Sequence, residues 1–158
     1  MKLVRDLSDF NEVKLPENIT LEIYDTDSKK FNFYEKSKIL AGTRDEYTRF
    51  HTIPADKVSQ IMIYKDGNPI GFFDIVFGNF LGSLGLNRKY VKEEEFNEHK
   101  KLLIEQALSY MKSHNQEKAY FISSREEFGF VKAEDQQLEV FKEIRNKLKT
   151  ELNSDLVD

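Results

Sequence analysis

No cysteine and no tryptophan occur among the 158 residues. The first absence removes disulfides, thiolate metal sites and cysteine nucleophiles together. The basic residues are dispersed and the net charge is −4, so the basic patch of a nucleic-acid binder is missing and no nucleic-acid partner is expected. Long apolar runs are missing too. Met1 to Phe10 carries Lys2, Arg5, Asp6 and Asp9, which leaves no stretch of the length a signal peptide or a membrane span needs; a cytoplasmic protein without membrane contact is the expectation. His51, His99 and His114 are scattered. Glu95 and His99 are four apart on one helix, a spacing more usual for a surface pair than for a metal site, and no metal is expected. No internal repeat or low-complexity tract is visible.

What is abundant is aromatic: thirteen Phe and seven Tyr in a chain of one-domain length, enough to build a core without staples. The clearest local signal lies between Val58 and Phe77. Ser59–Tyr64 and Ile70–Phe77 are rich in β-branched and aromatic residues, and Lys65-Asp66-Gly67-Asn68 joins them with the Asp-Gly pair of a tight hairpin. Both runs are apolar on consecutive positions, the pattern of a sheet covered on both faces. Ile19–Tyr24 alternates and reads as the sheet's first strand, with residues 1–18 as a loosely packed lead-in. A helix from Asp25 to about Leu40 and a second from Arg44 to Phe50 follow. Gly78–Gly82 reads as a turn and Ser83–Val91 as a third neighbouring strand, with Gly85 marking a bulge, a packing contact or a ligand's approach.

Lys92–Ser113 is the strongest helix, with Phe96, Leu103, Ala107 and Met111 on one face. Lys118–Ser124 follows as a strand, so strand, helix and strand predict a parallel or crossover connection. Phe128–Val131 is a candidate last short strand. Residues 133–158 are expected to form a helix and tail whose stripe of Leu138, Phe141, Ile144, Leu148 and Leu152 covers one sheet edge or meets a partner. The whole is expected to be a single α/β (α+β) domain over 1–158, a mixed, mostly antiparallel sheet with helices on both faces.

This order, from Ile19 to Val131, resembles the GCN5-related N-acetyltransferase family of acyl-CoA-dependent acyltransferases. Ile61–Phe77 is similar to that family's second and third strands, Lys101–Met111 to the helix after its cofactor loop, and Tyr120–Ser124 to its fifth strand. Where the family's loop carries Gln or Arg, then Gly, then Gly or Ala, this chain has Glu95, Glu98 and Lys100. Glu93, Glu94 and Glu95 add three consecutive acids, a charge that suits a helix start and repels phosphate. The resemblance implies acetyl-CoA or another acyl-CoA against Leu84, Gly85, Leu86, Glu98, His99 and Lys100. It implies a small-molecule or peptide amine as acceptor near Phe31–Tyr47, with Tyr120 as acid and Glu46 or Glu22 as base. The alternative expectation is a non-catalytic binding or regulatory protein of the same fold, acting through a protein partner.

Overall fold

Asp66 and Gly67 both adopt positive φ, 51° and 82°, as a two-residue turn matched to strand twist requires. The computed structural model, which describes residues 1–25 and 57–151, accordingly joins β3 (Val58–Lys65) to β4 (Asn68–Val76) at this turn. Pro69 sits at the mouth of β4, as its missing amide demands. The two helices expected between Asp25 and Phe50, with Phe31–Tyr34 and Glu46, lie outside the described residues.

Around the hairpin stand β1 (Lys2–Asp6), β2 (Ile19–Tyr24), β5 (Phe80–Leu86), β6 (Lys118–Ile122) and β7 (Val131–Lys132). The described strands form one sheet in the order β2-β3-β4-β5-β6-β1-β7. Every neighbouring pair is antiparallel except β5 and β6, which are parallel. Helices α1 (Phe96–Ser113) and α2 (Asp135–Glu151) complete the described elements. Leu103, Ile104, Ala107, Leu108 and Met111 of α1 pack with Ile61, Ile63, Phe73 and Ile75 on one face. Phe141, Ile144 and Leu148 of α2 pack with Val4, Val58, Val76, Phe80 and Tyr120 on the other. The mixed sheet with a helix on each face is therefore present, and Phe141, Ile144 and Leu148 of the α2 stripe pack within the chain, while Leu152 lies outside the described residues.

Three readings need correction. Residues 1–18 are no loose lead-in: β1 pairs β6 from Lys2 opposite Ile122 to Asp6 opposite Lys118 and pairs β7 on its other side. Leu3 faces the α1 cluster and Val4 the α2 cluster, so a strand buried on both faces shows no alternation. The third strand starts at Phe80 because Phe77 and Gly78 take the positive φ of the turn. It ends at Leu86, because Asn87 bonds the Pro69 carbonyl and caps the Lys89 amide. The last short strand is Val131–Lys132, since Phe128 and Gly129 are left-handed and cannot extend it.

Gly85 has a packing reason. A β-carbon there would fall 2.3 Å from Cε1 of Phe72, the residue opposite it on β4. Gly85→Ala is expected to cost about 1–3 kcal/mol by overpacking, a drop on the order of 5 °C in Tm. Adding Phe72→Leu should recover most of it in a thermal melt; a single variant melting like the wild type would remove this account.

Candidate functional site

Parallel strands that part at their carboxyl ends leave backbone groups unpaired in a crevice, where open α/β sheets hold ligands. β5 and β6 pair at only two positions, Phe80 opposite Tyr120 and Leu81 opposite Phe121. Beyond them the strands separate into a fork. One arm runs through Gly82, Ser83, Leu84, Gly85 and Leu86 and the other through Ile122 into Ser123. The β5 arm then leads through Asn87–Lys92 and a 3-10 turn at Glu93–Glu95 into α1.

The apex has an irregular backbone. Phe73 lies opposite Leu84 and Ile75 opposite Leu81, so Gly82 and Ser83 together face Asp74, a bulge that leaves one residue out of the ladder. Asp74 is only 1% exposed. Its Oδ1 accepts 2.6 Å from Nε2 of Gln60, directly across on β3, and its Oδ2 has no partner among the described residues. Burial pushes its pKa up to about 7, against the lowering effect of the Gln60 bond. A β-carbon on Gly82 would fall 3.8 Å from the Asp74 β-carbon, which puts this carboxyl one strand behind the apex. Along the same sheet face, beyond Met62 and Phe72, Glu22 accepts from the hydroxyls of Tyr24 and of Tyr64, the latter at 3.2 Å.

A solved structure of similar fold bears on this geometry. A GCN5-related N-acetyltransferase from Kribbella flavida superposes with a TM-score of 0.56 at 15% identity, over 82% of this chain and 52% of that one. The chain has the fold of the GCN5-related N-acetyltransferases. It spans about half the length of that relative. A GCN5-related N-acetyltransferase from Sphaerobacter thermophilus gives a TM-score of 0.48 at 11% identity, over 90% of this chain and 46% of that one. No family model and no curated protein matches the chain.

Within this acetyltransferase fold, the residues singled out from sequence fall in three places. Leu84, Gly85 and Leu86 are half-buried on the β5 arm. Glu98, His99 and Lys100 occupy the first turns of α1: Glu98 is exposed, the His99 Nδ1 lies 2.8 Å from the Glu95 carbonyl, and Lys100 pairs with Glu127 at 2.7 Å. Tyr120 lies at the closed end, its ring edge-on to Phe141 at 5.5 Å under α2, and burial, then Glu143, raises its pKa. The structure thus brings the β5 arm and the start of α1 together and sets the Tyr120 ring into the α2 cluster. Asp74, Gln60, Arg125 and Glu127 were not singled out; a lone acid inside the apolar run Ile70–Phe77 was the available signal for the first.

Among the described residues no cluster of three metal-ligating side chains occurs, and no helix is long and apolar enough to cross a membrane. A separate cavity of about 790 Å³ opens at the other end of α1, between Phe10, Leu21, Ile23, Gln106 and Tyr110, where the Tyr110 hydroxyl donates to Asp25 at 2.7 Å.

Proposed function

We propose that the protein is an acyltransferase that moves an acetyl or longer acyl group from acyl-CoA to an amine, with the β5–β6 fork as its site. The observation that carries this reading is the fork itself, whose two strands part immediately after Leu81 beside the bulge. A glycine at the apex and a bulged backbone suit a thin, extended group lying between the arms. At the outer end, side-chain cations would take the place of glycine-loop amides: Arg88, Lys89 and Lys92 are exposed between β5 and α1, and Lys100 and Arg125 pair with Glu127 beyond the end of β6. These groups fit the phosphates of CoA in spite of Glu93–Glu95.

Bound there, an acyl-CoA would supply an activated acyl group. The chain's own contribution follows from its geometry. An amide left out of the ladder at the Gly82–Ser83 bulge would be a donor for a carbonyl oxygen, the arrangement that favours acyl transfer. Asp74, raised by burial to about 7, is 1% exposed behind the apex and would serve as base only through a relay that reaches it at the bulge. Glu22, bonded by two tyrosine hydroxyls, is a second carboxylate on the same face, and Glu46 and Tyr120 remain candidates for base and acid.

A second reading, a regulatory protein that keeps the fold without the chemistry, is favoured by the acids Glu93–Glu95 and by the missing glycines at Glu98 and Lys100. Calorimetric titration with acetyl-CoA, longer acyl-CoAs and free CoA separates the two. Saturable micromolar binding, about −8 kcal/mol, is expected of the transferase. No heat and no thermal shift at millimolar cofactor would remove that reading and turn the search to a protein partner.

A further inference from the structure

Glu127 is a surface-loop carboxylate whose side chain is nevertheless only 9% exposed. Its Oε1 accepts from Lys100 Nζ at 2.7 Å and from Ser123 Oγ at 3.1 Å, and its Oε2 from Arg125 Nε at 3.2 Å. Burial acts to raise its pKa, and the three donors together with the Lys100 charge outweigh it and hold the carboxyl below its ordinary range. Ser123 directly follows β6, and Lys100 lies on the helix reached from β5, so this cluster ties the end of the β6 arm to α1.

The backbone is bent to place it. Phe128 and Gly129, the next two residues, take φ of 52° and 80°, a conformation that a phenylalanine seldom adopts. Arg5 on β1 holds the bend by donating to the Phe128 carbonyl at 2.5 Å. Arg5 also fills the space beside Gly129, where a β-carbon would fall 2.9 Å from the guanidinium carbon. Two cations and a hydroxyl converge on one internal anion, while the ordinary place for a phosphate, the first turn of α1, carries acids instead.

We infer that the fork mouth is an anion site built from Lys100, Arg125 and Ser123, that Glu127 fills it as an internal stand-in, and that a phosphate-bearing ligand enters by displacing that carboxylate. The ligand class rests on the acyl-CoA reading above, because the phosphates of CoA are the anions that the fork would bring to this mouth. Lys100 and Arg125 supply the charge that the missing glycine loop would otherwise supply as amides, and Glu127 leaves by rotation of its side chain on a backbone that Arg5 holds. A competing internal anion lowers the fraction of molecules ready to bind and weakens apparent affinity by that fraction.

Glu127→Gln keeps the shape and removes the charge. Calorimetric titration with CoA, and separately with inorganic pyrophosphate, is expected to show binding roughly tenfold tighter in this variant than in the wild type. Lys100→Ala in the same background is expected to abolish that gain, and added salt to erode it. Equal or weaker CoA binding by a folded Glu127→Gln protein would overturn the inference and leave the cluster as a latch between loop and helix. If Glu127→Gln lowers Tm enough to blur the comparison, Glu127→Ser, which removes the carboxylate and shortens the side chain, must give the same gain or the inference falls. Pyrophosphate that binds the variants in this order while CoA binds none of them would support the anion site and remove the acyl-CoA reading; failure of both ligands in the folded Glu127→Gln protein would overturn the anion site as well.

Discussion

A chain lacking residues 1–7 is expected not to fold. β1 is the inner neighbour of both β6 and β7, and its loss leaves the five ladder positions of β6 from Lys118 to Ile122 without their antiparallel partner. Leu3, Val4 and Leu7 are 0%, 5% and 1% exposed. At about 1.5–3 kcal/mol for each buried aliphatic side chain, their removal costs about as much as the whole net stability of an ordinary domain, about 5–15 kcal/mol. β7 loses its only described pairing, and Arg5, which holds the Phe128 carbonyl, goes with the strand. Far-UV circular dichroism and a thermal melt of the truncated chain would check this. A cooperative transition within a few degrees of that of the intact protein would mean that the described pairing of β1 is dispensable.

Asp74→Asn is expected to stabilise the protein above pH 7 and to leave it little changed near pH 4. In the unfolded chain the carboxyl ionises near 3.8, and in the folded protein burial holds it protonated up to about 7. Between those values the folded state carries the extra proton, so stability is fully present below about pH 4, falls as pH rises, and is lowest above pH 7. About three pKa units correspond to about 4 kcal/mol. Relaxation around the charge reduces this, so a gain on the order of 2–4 kcal/mol is expected at pH 8, roughly 5–15 °C in Tm. Melts of both proteins from pH 4 to 8 would decide: the wild-type curve should decline across the range while the variant's stays level. Parallel curves would mean that Asp74 does not titrate in the folded protein as described.

The hairpin was legible because its cause is local: Asp66-Gly67 dictates the turn and the β-branched flanks dictate the strands. α1 was legible because six buried residues repeat at helical spacing, and the parallel β5–β6 pair followed from the order strand, helix, strand. β1 was not, because five residues with Leu3 and Val4 turned to opposite faces carry no period. Its partners are also more than a hundred residues away. The candidate site was legible as a region and not as a set of side chains. Asp74 reads as a polar interruption of an apolar run until Gln60 is placed opposite it. Glu127 reads as part of a turn until Lys100, 27 residues earlier, reaches it. Both depend on register and crossover, which spacing along the chain does not contain.

The position of β1 also bears on how the protein comes into being. During synthesis β1 cannot find its place until Lys118–Ile122 has emerged, since Asp6 pairs with Lys118 and Lys2 with Ile122. At about 5–20 residues per second, that wait is on the order of ten seconds. Throughout it Leu3, Val4 and Leu7 have no sheet to enter, while the β3–β4 hairpin can already form. The newborn chain therefore passes through a period with an apolar strand awaiting its partner, and a holding chaperone that binds short apolar segments would find its target there.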